Sequence, residues 1–174
     1  MHIIGLVLTV LGGIAFWYYR MQAAREASET LVDAANDVRL AAKRFAYRRR
    51  VKTHPLDCVE DARVAALGIA ASIVQIERGW DKDISDTMIR QAQSLFDIDV
   101  KEAAEMVVLA KWLSDQATMR ADAARRLTRR VRALVGPAAL PDLQRLLTIL
   151  IGPEGSASEN VEEARAAMIR DLQA

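Results

Sequence analysis

The sequence is poor in the residues that staple or coordinate: one cysteine, two histidines and four prolines in 174 residues. A lone cysteine, Cys58, excludes an internal disulfide, which fits a reducing compartment. His54 and Cys58 lie four apart, but two donors fall short of the four groups, or three and a water, that zinc takes. They read as a helix-start histidine and a small packed thiol. Asp57, Glu60 and Asp61 oppose activation of that thiol, because a reactive cysteine needs a lowered pKa. There is no Gly-x-x-x-x-Gly-Lys loop, no Gly-x-Ser-x-Gly elbow and no His-Glu-x-x-His pair. The chain is therefore read as non-enzymatic. No stretch alternates polar and apolar residues long enough for a strand, and glycine and proline gather at breaks. With Ala, Leu, Arg and Glu dominant, the expected fold class is all-α.

Charge is missing from residues 3–19, and that absence is the most informative one. As a helix this apolar run spans about 26 Å, slightly under the roughly 30 Å hydrocarbon core of a bilayer. Trp17, Tyr18 and Tyr19 cluster at its end, where amphipathic rings favour the headgroup region. Residues 1–19 are read as a single membrane anchor. The alternatives are a cleaved signal peptide and a buried core helix. The first lacks its basic leading stretch and its small-x-small cleavage site, whereas the second is compatible with the length. Arg20, Arg25, Arg39 and the basic residues after them all lie downstream, and none lies upstream. Positive flanks stay in the cytoplasm. The expected topology is thus single-pass in the cytoplasmic (inner) membrane, N-terminus outside, with the C-terminal domain inside. Gly5, Thr9 and Gly13 recur every four residues and line one face on which a second membrane helix could approach closely.

Residues 20–53 contain no breaker and are read as a basic helical stalk continuing the anchor. Ala24, Ser28, Leu31, Ala35, Val38, Ala42 and Phe45 step by four and three, a seam for packing on the chain's own domain or on a second copy. Lys43, Arg44, Arg48, Arg49, Arg50 and Lys52 form a cluster without an acid. Three partners suit such a cluster: anionic lipid, nucleic acid, or the chain's own acidic helices. An upright stalk would lift Arg44 about 36 Å above Arg20, beyond the reach of lipid charge unless the stalk lies down.

Residues 54–174 are read as one helical domain. Pro55 is expected to open a helix running to about Glu77, with Val59, Ala62, Ala66, Ile69, Ile73 and Ile76 facing the core. Asp83 with Asp86, Asp99 with Glu102, and Ser156 with Glu159 are expected capping pairs. An arginine-rich helix is expected to open at Thr118 or Met119 and run to Val135, stopped by Gly136-Pro137. It is read as offering a partner surface, with Arg126 and Arg130 as contact residues alongside Arg48, Arg49, Arg50 and the anchor's Trp17. Pro141 opens the next helix, and a last one ends near Leu172.

Two stretches are alike, 67–96 and 143–172. In each an apolar helix meets a short acidic turn and then an amphipathic helix. The turns are Trp80-Asp81-Lys82-Asp83-Ile84-Ser85 and Pro153-Glu154-Gly155-Ser156-Ala157-Ser158. This pattern resembles the TerB-like (tellurite-resistance B) helical family, whose members carry an Asp-Gly-x-Ile-Ser turn and a following Glu in each of two related halves. Asp81 and Glu154 fall at that family's acidic position, Lys82 and Gly155 at its glycine, and Ile84-Ser85 and Ala157-Ser158 at its Ile-Ser. Met88 and Val161 stand where its later Glu would be. The resemblance implies a bundle of two related halves and a divalent cation, such as calcium, held by clustered acids. The candidate ligands here are Asp81, Asp83, Asp86, Glu154 and Glu159. The competing reading is that acids at helix starts cap orphan N–H groups and offset the helix dipole. The expected function is a membrane-tethered, non-enzymatic scaffold or adaptor. The alternatives are a cation-responsive stress protein and an accessory subunit of a larger membrane complex.

Overall fold

One helix is buried nearly all round, and the rest pack about it. Ala62–Val74 reads ARVAALGIAASIV, and every residue from Val64 to Val74 except Ala66 is buried. A helix that is apolar on all sides belongs in the middle of a bundle. The computed structural model describes residues 36–45, 47 and 53–174, which form helices and turns with no strand among them. The chain divides into two compact units, Met1–Asp37 and Val38–Ala174. The first lies almost wholly outside the described residues, and with it the apolar run, Gly5, Thr9, Gly13 and Trp17. Arg48, Arg49 and Arg50 lie outside them too.

In chain order the second unit starts in a helical segment over 36–44, α1. A 3-10 turn, Pro55–Cys58, leads to the central helix α2, Ala62–Val74. Then come α3 (Lys82–Phe96), α4 (Val100–Ser114) and α5 (Arg120–Val135). A second 3-10 turn, Gly136–Ala139, joins α5 to α6 (Leu140–Ile151), and α7 (Glu159–Gln173) closes the chain. α2 packs most heavily on α5 and α4, α7 leans on α5, and α3 lies against α4 and α6. Leu67, Ile69, Ile73, Met106, Leu109, Leu113, Leu127 and Leu147 fill the centre, each fully or almost fully buried. Gly68 is what permits the close approach of α2 and α5. A Cβ there would stand 2.8 Å from Leu127 Cδ1 and 3.9 Å from the Ala110 carbonyl of α4.

Three expectations are corrected. The helix expected from Pro55 to Glu77 is two pieces. His54 Nδ1 accepts from the Leu56 N–H and opens only the 3-10 turn; the backbone at Val59 and Asp61 is extended. Asp61 then caps α2 by accepting from the Arg63 N–H at 2.8 Å. Leu56, Cys58 and Val59 are buried, so this irregular stretch plugs into the core itself. α3 is capped by Asp81, which accepts from the Ile84 N–H at 2.8 Å, and not by Asp83. Ser156 does not cap α7; its hydroxyl donates to the Pro153 carbonyl at 2.6 Å, and the N-cap residue is Ser158. Of the remaining capping pair, the Asp99 half is found: Asp99 accepts from the Glu102 N–H at 2.7 Å and starts α4, while the Glu102 carboxylate turns to Arg63 and Arg44.

The compact unit starts at Val38, within the segment read as stalk. Ala41 and Phe45, four apart, are buried in its core, with Val38 and Ala42 of the expected seam packed beside them.

Among the described residues one helical stretch, Arg120–Ile151, is long and apolar enough by length and composition to cross a membrane. It is broken at Gly136, whose φ of +66° leads into the 3-10 turn. Its Leu127, Val131, Leu143, Leu146, Leu147 and Leu150 are buried within the bundle.

Candidate functional site

The strongest concentration of like charge in the described residues is α5, RADAARRLTRRVRALV, with six arginines and one aspartate. Its apolar residues Ala123, Ala124, Leu127 and Val131 are buried against the bundle, with Thr128 among them. That packing forces the arginines to the flanks and the outward side. Three of the six are occupied. Arg120 pairs with Asp115 at 2.7 Å and donates to the Ser114 carbonyl. Arg126 pairs with Asp57 at 3.1 Å. Arg130 donates through Nε to the Val59 carbonyl, tying α5 to the irregular stretch before α2. The other three, Arg125, Arg129 and Arg132, are exposed and have no ion pair or hydrogen bond among the described residues. The sequence points to Arg126 and Arg130 as contact residues. Both have partners within the chain, Arg126 in an exposed ion pair, and the unengaged set is the other one. Only the position of Asp57 and of the Val59 carbonyl distinguishes them.

Beside this face lies a groove of about 390 Å³ between α5 and α7, floored by Ala124, Ala164 and Met168 and rimmed by Arg125 and Glu163. Met119, 63% exposed, stands at its edge.

A second charged assembly joins three elements. Arg63 bonds Asp61 through Nε and Nη2, and Glu102 through Nη1 at 3.3 Å. Arg44 of α1 pairs with Glu105 at 2.9 Å and with Glu102 at 3.6 Å. The hydrogen bond to Asp61 is the main reason the Arg63 guanidinium lies above its ordinary pKa, with the charges of Asp61 and Glu102 adding to it. Arg44 is raised in the same way, first by Glu105. For Arg44, the partner among the three considered is therefore the chain's own acidic helix α4.

The acids expected to gather about a cation fall at or just before two helix starts. Asp81 caps α3, Asp83 sits in its first turn, and Asp86 is 3.9 Å from Lys82 on the same helix. Glu154 is exposed in the α6–α7 connection and Glu159 is in the first turn of α7. Glu77 reaches the other way and accepts from the Ser158 N–H at 3.3 Å. Glu162 folds back to accept from the Gly155 and Ala157 N–H groups. Among the described residues no group of three or more His, Cys, Asp or Glu side chains is placed to hold a metal ion. A hard cation needs several oxygens converging on one point; here Asp81, Glu77 and Glu162 accept from backbone N–H groups and Asp86 faces Lys82. The two acidic turns also differ in geometry. α3 begins one residue after Asp81, whereas α7 begins five residues after Glu154.

Among the described residues Arg165 is the one buried arginine, 4% exposed. It donates to the Gly152 carbonyl at 2.9 Å and lies 3.9 Å from Glu162. It thereby anchors the turn that Gly152 and Gly155 make with φ of +93° and +83°. No sequence pattern singles it out; its neighbours on α7 are the only hint, since Val161, Ala164 and Met168 share its buried side.

No protein-family model, curated protein or solved structure matches the chain.

Proposed function

We propose that this chain is a membrane-tethered, non-enzymatic adaptor: a single N-out span holding a TerB-like helical bundle at the cytoplasmic face. The observation that carries the reading is the uncharged run over 3–19 with every nearby basic residue on its downstream side. Its mechanism is binding. A tether converts encounter with a membrane-bound partner into a nearly intramolecular event and raises the effective concentration of the bundle. The described surface is consistent with a binding module, since its charged side chains serve caps, inter-helix pairs and one open arginine face. The two acidic turns at 80–85 and 153–158 support the TerB-like part of the reading. The alternative of a cation-responsive stress protein rests on the family resemblance alone, since among the described residues no three His, Cys, Asp or Glu side chains are placed to hold a metal ion.

Protease accessibility of a C-terminal tag in sealed spheroplasts tests the tether. The tag is expected to be protected until the membrane is opened. Digestion in intact spheroplasts reverses the topology, and recovery of the chain in the soluble fraction ends the reading. The spacing of Gly5, Thr9 and Gly13 favours a second reading, an accessory subunit whose span packs on another membrane helix. Mild detergent extraction followed by identification of co-purifying chains separates the two. Loss of a stoichiometric partner when that face is crowded, by Gly5→Leu together with Gly13→Leu, supports the subunit.

A further inference from the structure

We propose that the outward face of α5 docks on anionic phospholipid, with Arg125, Arg129 and Arg132 binding headgroup phosphates and holding the bundle against the bilayer. This rests on the tethered reading above. The three positions are spaced four and three apart, so at about 100° per residue they share one stripe roughly 60° wide and about 10 Å long. All three are exposed and unengaged among the described residues, while the other three arginines of the same helix are taken up by Asp115, Asp57 and the Val59 carbonyl. Three free guanidiniums in a row suit a surface that carries many phosphates. Each planar fork can take two oxygens of one phosphate.

The surroundings favour lipid over nucleic acid. The stripe is one helix wide. It is bordered by Asp122 in the first turn and by Glu163 across the groove, whereas a nucleic-acid face is broad and basic throughout. Large apolar side chains stand exposed at the two ends of the helix, Met119 at 63% and Val135 at 47%. An amphipathic element lying in the interface presents this combination, apolar groups entering below the headgroups and arginines above. The proposed topology puts the bundle on the cytoplasmic side, where anionic lipids concentrate. The connecting residues 20–37 reach at most about 60 Å, which bounds how far the bundle can stray and raises its effective concentration at that leaflet.

The test uses the full chain reconstituted in vesicles of phosphatidylcholine alone, or of phosphatidylcholine mixed with phosphatidylglycerol. An environment-sensitive dye is placed on Ala133→Cys, an exposed position on α5; Cys58 is buried and stays unlabelled. Flotation with both vesicle types is expected. Blue-shifted dye emission and shielding from an aqueous quencher are expected only with phosphatidylglycerol, and salt should reverse them. At about 1 kcal/mol for each arginine near an anionic surface, R125Q/R129Q/R132Q should lower the docked-to-free ratio roughly 100-fold. The charge-matched variant R90Q/R145Q/R170Q, at exposed positions on α3, α6 and α7, should leave it unchanged.

Flotation with a dye signal indifferent to phosphatidylglycerol overturns the proposal while leaving the tether standing. So does docking that survives the triple substitution on α5. The same holds if the chain in phosphatidylcholine vesicles captures a short RNA or DNA duplex through those arginines while phosphatidylglycerol leaves the dye unmoved. Failure to float with either vesicle overturns the tether instead. The free chain is then added to phosphatidylglycerol vesicles, where binding lost in the α5 triple variant supports the stripe and no binding refutes it.

Discussion

Gly68→Ala should change the sign of its effect on stability when Leu127 is removed. In a helix interior alanine is better than glycine by about 1 kcal/mol. At Gly68 the new Cβ would lie 2.8 Å from Leu127 Cδ1, and Leu127 is fully buried. Overpacking of this kind costs about 1–3 kcal/mol. In the wild-type background the clash outweighs the propensity, and the net loss should be about 1 kcal/mol. Leu127→Ala alone should cost about 3 kcal/mol through lost burial and the cavity left behind. In the double variant the clash is gone, and the alanine should restore about 1 kcal/mol relative to Leu127→Ala. The coupling of about 2 kcal/mol is well above the few tenths by which independent sites depart from additivity. Urea unfolding of the four proteins in one mild detergent, followed by helical circular dichroism, measures it. Additive effects, or a wild-type background stabilised by Gly68→Ala, would refute the argument that glycine sets the α2–α5 distance.

The remaining stability changes are read by the same urea unfolding, and the calcium effect by thermal melting. Arg130→Gln should cost about 1–2 kcal/mol by freeing the Val59 carbonyl, whereas Arg129→Gln should stay within about 0.5 kcal/mol, separating the occupied arginines from the open ones. Asp81→Ala should cost about 1 kcal/mol as a lost cap and Asp81→Asn much less; a calcium-induced rise in Tm in the parent that Asp81→Ala abolishes would restore the cation reading. Arg165→Ala should cost about 2–3 kcal/mol by stranding the Gly152 carbonyl and weakening the hold on Glu162. At Gly152 φ is +93° and a Cβ would lie 2.6 Å from Ser156 Oγ. Gly152→Ala should therefore cost about 1–3 kcal/mol.

Much of the helical layout was legible because its signals are local. The Gly136-Pro137 stop, the Asp99 cap and the arginine-rich periodicity of α5 each depend on a few adjacent residues. Where the sequence pattern misled, the cap is a neighbouring residue, as at Asp61 and Asp81, or a distant group enters, as before α7. Glu77 accepts from the Ser158 N–H, and Glu162 accepts from the Gly155 and Ala157 N–H groups, in the turn where Ser156 was expected to cap. The tether lies outside the described residues and remains a proposal from residues 3–19.

Composition and period thus determine that the chain is all-α, where most of its helices start and stop, and that one helix carries a surplus of arginine. They cannot determine which arginines are free. A side chain's hydrogen-bonding capacity is exhausted by whatever lies opposite it, and Asp57, Asp115 and the Val59 carbonyl reach α5 only when the chain is folded. The same holds for the acids: helix periodicity shows where each carboxylate starts a turn, but only packing decides whether they meet. In this bundle Asp81, Asp83 and Asp86 share the start of one helix while Glu154 and Glu159 lie at or before another, and among the described residues no three such side chains are placed to hold a metal ion.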